Sequence, residues 1–335
     1  MSRDALSLQS LPAYPAEAFC VSFGVNLGDP ISVLDDLVLD DVYELARGVP
    51  PQRLSLAAEA GGGLYVHEDT DCGTPNARLH LDCALTFIPE QGESCEALMV
   101  VEVDGEGLIA ACYLVPMAPL LPQTGYRLVS ATRATAERVL AQMACVSFVR
   151  GTRITLSTGQ QVPIEDLLPG DRVLTRDSGA QPITWIGHST TRASGAMAPI
   201  LIRQGTLNTA RDLRVSPDHR LLIYQRSDPL SLGSAELLVR ARDLVNGDTV
   251  RVQEGGFVDY YQLLFDRHHI IYAEGIAAES LLVDPLTRPA LPQEVLSKMR
   301  ADRSHGRRAA HGLEVSARVL DRPDAVALLQ RASLR

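Results

Sequence analysis

An eight-residue pattern that occurs twice constrains the fold of this 335-residue chain more than any other feature. The pattern Asp-Leu-x-x-Gly-Asp-x-Val spans residues 166–173 and again residues 243–250. Each copy predicts a turn leading into a strand, in which the glycine supplies a positive φ and the aspartate that follows it caps backbone amides. Two copies of one turn-and-strand unit predict an internally duplicated domain.

Short β-like runs dominate the rest of the chain. Ten of them follow one another between residues 145 and 285 without a long helix, which predicts an all-β domain. The preceding part also alternates like strands and predicts a small β-sandwich or barrel, closed by one Ala-rich helix over Thr132–Met143. We therefore predict a mainly β protein with these parts: a flexible leader (1–17), an N-terminal β-rich domain of unknown function (18–144), an all-β domain (145–285) and a short helical C-terminal tail (286–335).

Charge is unevenly distributed along the chain, whose formal net charge is −10. Residues 1–144 hold 7 arginines, no lysine and 20 acidic residues, whereas the remainder is slightly basic. Neither part has a basic stripe, which argues against nucleic acid as the main partner. We interpret the Arg-rich stretch 300–308 as a solvated linker in the tail. Lys298 is the only lysine, which disfavours Schiff-base and pyridoxal chemistry.

The sequence predicts neither a membrane span nor a cleaved signal peptide. No apolar run reaches roughly 18 residues, and the first residues carry an acid where a signal peptide would be basic. A cytoplasmic location is the default expectation, and export without a signal remains open. The six cysteines contain no Cys-x-x-Cys pair, and we interpret them as buried thiols rather than disulfides or metal ligands. We expect no metal and no cofactor.

Four motifs, in chain order, carry a resemblance to a known family. They are Ser147-Phe148-Val149-Arg150-Gly151-Thr152, the stretch from Pro163 to Thr175 that contains the first octet, Ser216-Pro217-Asp218-His219-Arg220, and His269-Ile270-Ile271-Tyr272-Ala273-Glu274-Gly275. Together they resemble the motifs of the Hint (hedgehog/intein) domain, in particular the branch found in bacterial stand-alone proteins. The resemblance covers residues 145–285 and implies a pseudo-two-fold all-β Hint fold, in line with the repeated octet.

The resemblance implies a domain that acts once, on its own polypeptide. A nucleophile attacks the carbonyl of the residue before it, and the peptide bond becomes an ester or thioester that water or an external nucleophile then resolves. On this resemblance Ser147 is the nucleophile and Ser216 orients the scissile amide. His219 is the general acid for the leaving nitrogen, because an imidazole titrates near neutral pH. Cleavage is expected after Val146.

Three departures from the family pattern leave alternatives open. Ser147 stands at the position where the family usually has a cysteine, and its hydroxyl is harder to ionise than a thiol. Cys145, two residues earlier, is the alternative nucleophile. No Asn closes the domain, so cleavage without full splicing is expected. Gln262 stands where splicing relatives often have an acid, and Asp266 is the alternative base. His269 is a candidate proton donor, or a residue that hydrogen-bonds at a strand end.

Two other functions compete with self-processing. A Hint fold that has lost its chemistry would serve as a scaffold or interaction module. A serine hydrolase acting on other molecules is the weaker alternative, because the chain has no Gly-x-Ser-x-Gly elbow and Ser216 lies only three residues from His219. The task of the first domain and the oligomeric state stay open.

Overall fold

The computed structural model describes residues 7–59, 63–90, 94–299, 311–315, 317–320 and 324–333. The chain divides into two compact units. The N-terminal unit holds Met1–Ala144 with Ser194–Ala196 and Asp284–Leu291, and the C-terminal unit holds Cys145–Ala193, Met197–Val283 and Pro292–Arg335. The Arg-rich stretch 300–308 lies outside the described residues.

The described residues of the N-terminal unit form nine strands and one helix: β1 Ser7–Pro15, β2 Phe19–Phe23, β3 Val42–Leu45, β4 Gln52–Ala58, β5 Leu64–Val66, β6 Arg78–Pro89, β7 Cys95–Val103, β8 Ile109–Pro116, β9 Tyr126–Thr132 and α1 Ala136–Ala144. The strands form one antiparallel sheet in the order β2-β3-β9-β6-β5-β4-β1-β8-β7. Because β7 also pairs with β6, the six strands from β6 to β7 close into a barrel. The other three continue the sheet outward from β6.

The start of the chain differs from the expected flexible leader. Ser7–Pro15 is a strand, β1, which pairs with β4 along most of its length and with β8 at its end. Its apolar side chains at Leu11, Ala13 and Tyr14 are buried, whereas Pro12 faces solvent. Burial of these side chains stabilises the strand in spite of the two prolines, which on sequence alone suggest an irregular segment.

The described part of the C-terminal unit contains fifteen strands, fourteen of which come before the first of its three helices. The strands are β10 Phe148–Val149, β11 Arg153–Thr155, β12 Gln161–Pro163, β13 Arg172–Thr175, β14 Gly179–Pro182, β15 Trp185–Arg192, β16 Ile200–Ile202, β17 Leu213–Val215, β18 Arg220–Tyr224, β19 Glu236–Arg240, β20 Val250–Val252, β21 Phe257–Leu264, β22 Ile270–Ala273, β23 Ile276–Glu279 and, after the first helix, β24 Leu313–Glu314. The helices are α2 Gln293–Lys298, α3 Ala317–Leu320 and α4 Ala325–Ser333. One sheet has the order β15-β21-β10-β17-β16-β20. The other runs β12-β11-β22-β23-β18-β19-β24, with β13 and β14 joined through β22. Both share one apolar core, to which α4 contributes Leu329. The mainly β class and the helical tail are confirmed.

The two octets adopt the same local structure. In each, a short 3-10 helix precedes a glycine with positive φ, 100° at Gly170 and 75° at Gly247, and a strand follows, β13 in one copy and β20 in the other. Asp171 caps the amide of Leu168 at 2.8 Å, as predicted. The two turns therefore lead into strands in the same way.

The capping prediction is wrong for Asp248. In the second octet, Asn246 caps the turn instead, because its Oδ1 accepts hydrogen bonds from the amides of Asp248 (3.0 Å) and Val250 (2.9 Å). The first octet has a proline, Pro169, at the position of Asn246 and no such cap. The carboxylate of Asp248 is left exposed.

Candidate active site

Ser147 is held at the start of a central strand. It immediately precedes β10, which lies between β17 and β21, with Phe148 paired to Val215 on one side and to Tyr261 on the other. Ser147 itself is 3% exposed. The residue predicted to be the nucleophile is therefore fixed on both sides by strand pairing, in a place that excludes bulk water.

A tight turn brings Ser216 and His219 to the same place. Ser216 follows β17, and the amide of His219 donates a 3.0 Å hydrogen bond to the carbonyl of Ser216, which closes a turn with Pro217 at its second position. Proline is favoured there because its fixed φ suits the turn. The Ser-x-x-His spacing of the sequence thus has a local structural cause, and it aims both side chains at Ser147.

Ser216 contacts the backbone of Ser147 twice. The amide nitrogen of Ser147 donates to Oγ of Ser216 at 3.0 Å, and the amide of Ser216 donates to the carbonyl of Ser147 at 2.9 Å. The hydroxyl of Ser216 in turn faces the carbonyl oxygen of Cys145 at 3.5 Å. The nitrogen of the Val146–Ser147 peptide bond therefore has a buried hydroxyl against it.

His219 lies on the carbonyl side of Ser147. Its ring is fully buried, packs on Phe148 with 4.4 Å between ring centroids, and places Nδ1 3.1 Å from the carbonyl oxygen of Ser147. Since a carbonyl only accepts, this contact assigns the proton to Nδ1. Burial lowers the pKa of His219 to about 4, and the hydrogen bond to Ser147 and the nearby Glu279 carboxylate oppose it without offsetting it. His219 is therefore a neutral hydrogen-bond donor at pH 7.

The hydroxyl of Ser147 has two partners. Nε2 of Gln262, from β21, donates to it at 3.1 Å, and the hydroxyl faces the carbonyl oxygen of Cys145 at 3.4 Å. Gln262 is paired across the strands with Gly187, where an added Cβ would overlap the Gln262 amide oxygen. The absence of a side chain at Gly187 leaves room for this amide. Sequence reasoning marked Gln262 only as a departure from a family pattern, and did not place it on the nucleophile.

The structure brings together Ser147, Ser216 and His219, and adds Cys145 in a different role. The thiol of Cys145 is buried, while its backbone carbonyl faces both serine hydroxyls. All six cysteines lie in the described part of the chain, and none is in a disulfide.

The other two predicted residues, Asp266 and His269, lie in the segment between β21 and β22. Asp266 is exposed, and its carboxylate makes no hydrogen bond or ion pair within the described residues. The backbone of His269 is bound twice by Ser280, whose Oγ accepts from its amide at 3.0 Å and whose amide donates to its carbonyl at 2.9 Å. The His269 ring packs edge-on against Phe265. This fits a residue that hydrogen-bonds at a strand end.

Within the described ranges, no three His, Cys, Asp or Glu side chains are grouped so that they could hold a metal ion. In that part of the chain no helix has both the length and the apolar character needed to cross a bilayer.

Comparison with known proteins gives a family match over the second half of the chain. Residues 146–285 match the family model Hint_2, described as Hint domain. No curated protein matches the chain.

Similar solved structures are inteins. The Ssp DnaB mini-intein variant M86 is 16% identical in sequence to this protein. The match covers 41% of this chain and 96% of the intein chain, with a TM-score of 0.28. The gp41-1 intein is 10% identical (40% and 97% covered, TM-score 0.25), and the MchDnaB-1 intein is 13% identical (40% and 98% covered, TM-score 0.26). On the family match, residues 146–285 of this protein are a Hint domain.

Proposed function

We propose that the Hint domain cleaves its own chain at the Val146–Ser147 peptide bond by an N–O acyl shift, without splicing. One observation carries the proposal: the leaving nitrogen and the attacking oxygen both belong to buried Ser147, and each has its own side-chain partner. Ser216 accepts from the nitrogen and Gln262 donates to the oxygen. Such fixed contacts hold both reacting atoms in place at no further entropic cost during the reaction.

In the proposed step, Oγ of Ser147 attacks the carbonyl carbon of Val146. A bond forms between the carbonyl carbon of Val146 and Oγ of Ser147, and the bond between that carbon and the nitrogen of Ser147 breaks. The hydroxyl loses one proton and the nitrogen gains one. Because His219 is neutral at pH 7, it cannot start as the general acid that a near-neutral pKa would allow. The imidazole first takes up the hydroxyl proton and then, as imidazolium, gives its Nδ1 proton to the nitrogen. For this the imidazole moves from the carbonyl oxygen of Ser147 to the nitrogen of the same residue. Gln262 stabilises the negative charge that develops on Oγ.

Water completes the reaction. It adds to the ester carbonyl of Val146 and breaks the C–Oγ bond, which leaves a carboxylate on Val146 and restores the hydroxyl of Ser147. An external nucleophile such as hydroxylamine would take the place of water. Because the sequence after β23 has no Asn to cyclise, the residues that follow the domain stay attached to it.

Intact-mass spectrometry of the full-length chain tests the proposal. We expect hydroxylamine to give two fragments that separate between Val146 and Ser147, in the wild type and in a Ser157→Ala control at an exposed turn serine. Ser147→Ala and His219→Ala should stay intact. A wild-type chain that shows one unbroken mass with and without hydroxylamine would refute self-processing.

A catalytically silent scaffold is the second candidate, and one observation favours it. Within the described residues, the two partners of the Ser147 hydroxyl are a donor amide and a backbone carbonyl, so no side-chain base contacts it. A domain of this kind would keep the fold and would bind a partner. It predicts an unbroken chain that is insensitive to Ser147→Ala.

A further inference from the structure

A series of buried ion pairs begins on either side of His219. Arg220, the next residue, is 7% exposed at its side chain and lies 3.5 Å from the carboxylate of Glu279 on β23. Asp218, the residue before, pairs with Arg242 at 2.8 Å and lies 3.9 Å from Arg240. The general acid of the proposed reaction is therefore flanked along the chain by one buried negative and one buried positive group.

Glu314 from the C-terminal tail joins the two halves of this network. One of its oxygens, Oε1, accepts from Nε of Arg220 at 3.1 Å and from a terminal nitrogen of Arg240 at 3.0 Å. Its position is set by β24, which pairs in parallel with β19 and places Glu314 opposite Leu238. Glu314 lies 29 positions beyond the end of the family match at residue 285.

The network joins three arginines to four carboxylates: Asp218, Arg220, Arg240, Arg242, Asp243, Glu279 and Glu314. A buried guanidinium that loses its partner is strongly disfavoured, because desolvation is no longer compensated. Arg220 and Arg240 have side chains only 7% and 9% exposed, and both share the same oxygen of Glu314, whose side chain is 32% exposed. Each arginine has a second carboxylate beside it, Glu279 for Arg220 and Asp218 for Arg240.

We propose that Glu314 is a positioning residue of the Hint site: it holds Arg240 and Arg220, the residue after His219, in place, and its negative charge offsets the positive charge that Arg220 places beside the imidazole. The consequence for catalysis rests on the proposed function, whereas the effect on His219 does not. Strand β24 would then contribute a residue to the Hint site.

The sign of the effect follows from the groups around His219. Two charged groups act on His219 directly: the Glu279 carboxylate on β23 favours the imidazolium, and the neighbouring Arg220 disfavours it. Further contacts extend from these two groups to Glu314 on β24 and to His268 before β22, and through Arg240 to Asp218, Arg242 and Asp243. Glu314→Gln leaves this set one positive charge richer, which disfavours the imidazolium. Arg240→Gln leaves it one negative charge richer, which favours the imidazolium.

NMR titration of the His219 imidazole in the full-length chain tests the effect without requiring cleavage. The resonance is assigned by its loss in His219→Gln. We expect Glu314→Gln to lower the titration midpoint by about half a pH unit or more and Arg240→Gln to raise it similarly. The double variant should return toward wild type. Glu294→Gln removes the same charge from an exposed position of the tail and is the matched control.

Cleavage rates, measured on the same proteins by intact mass from pH 5 to 9, give the second readout. We expect Glu314→Gln to slow cleavage about tenfold across this range, and Glu314→Asp to restore part of it. If Glu314→Gln does not fold, a raised midpoint in Arg240→Gln still supports the inference. An unchanged midpoint in both Arg240→Gln and any folded Glu314 variant overturns it. If the wild type is not cleaved, the function proposed above fails, and the titration alone decides the role of Glu314.

Discussion

The side-chain amide of Gln262 donates a 3.1 Å hydrogen bond to the hydroxyl of Ser147, across 115 residues of sequence. A donor in this place stabilises an alkoxide once it has formed, but an amide cannot take the proton away. The site thus has charge stabilisation on the nucleophile without a side-chain base beside it. This pairing makes cleavage by the wild type slow on the proposed mechanism.

Replacing Gln262 by Glu should therefore accelerate cleavage. The carboxylate would lie within reach of the hydroxyl and accept its proton, and general-base catalysis is typically worth 10²–10⁴-fold, so we expect a gain of about tenfold or more even with imperfect geometry. The rate should rise with pH, because burial raises the pKa of a carboxyl group. Fragment yields over time by intact mass measure it. Equal rates for Gln262→Glu and wild type at pH 8 would show that proton removal from Ser147 does not limit the reaction.

Replacing Ser147 by Cys should also accelerate cleavage. A thiol ionises near pH 8.5, whereas an alcohol does so far above neutral pH, so the thiolate is the more abundant nucleophile. We expect an increase of about tenfold or more at pH 8, together with release of the N-terminal fragment by added thiol through thioester exchange. Cys145→Ser should leave the wild-type rate unchanged. A fragment boundary after Ala144 instead of Val146 would transfer the role to Cys145.

The hydroxyl of Ser216, and not its size, should matter for the reaction. Ser216→Thr keeps an oxygen that can accept from the Ser147 amide at the present 3.0 Å contact, whereas Ser216→Val has the shape of threonine without that oxygen. The Ser147 nitrogen gains a proton during the reaction, so its hydrogen bond to this oxygen strengthens in the transition state, and we expect Val to cleave about tenfold more slowly than Thr. Circular dichroism melts show whether both variants are folded. Similar rates for folded Thr and Val variants would remove Ser216 from the mechanism.

The low pKa of His219 predicts that the C-terminal unit loses stability in mild acid. Burial lowers this pKa to about 4, against roughly 6.5 in an unfolded chain. Between those values the unfolded state binds more protons, so stability falls as pH drops from about 6.5 toward 4. From pH 7 to pH 5 the His219 contribution is about 2 kcal/mol.

Denaturant unfolding of the C-terminal unit at pH 7 and pH 5 measures this linkage. His219→Gln should be less stable than wild type at pH 7 but should lose about 2 kcal/mol less on going to pH 5. His80→Gln, at an exposed histidine of the N-terminal unit, is the control substitution. Parallel pH profiles for wild type and His219→Gln would contradict a neutral, buried imidazole.

Sequence patterns predicted the parts of this protein that depend on neighbouring residues. Gly170 and Gly247 sit in the expected turns, and the Ser-x-x-His spacing is one tight turn that carries both side chains to one place. The strand over residues 7–15 was not predicted, because its two prolines suggested an irregular segment. Its apolar side chains are buried only once β4 and β8 pair with it.

The same sequence patterns could not predict contacts between distant segments. Nothing in the sequence around Gln262 shows that its amide contacts a hydroxyl 115 positions earlier. Likewise, the exposure of Asp266 depends on how β21 ends, and proximity in sequence to His269 suggested a role that its position does not support. Spacing describes a segment, whereas these contacts depend on which strands pair.

The position of β1 in the barrel has a consequence for biosynthesis. β1 pairs with residues 52–58 and with Tyr113 and Leu114, so about a hundred further residues must be synthesised after β1 before both of its edges are covered. At typical translation speeds that interval is roughly 5–20 s. During it, β1 has an open edge of the kind that pairs with other chains. We therefore expect nascent chains that stop before Leu114 to need a chaperone that the finished unit does not.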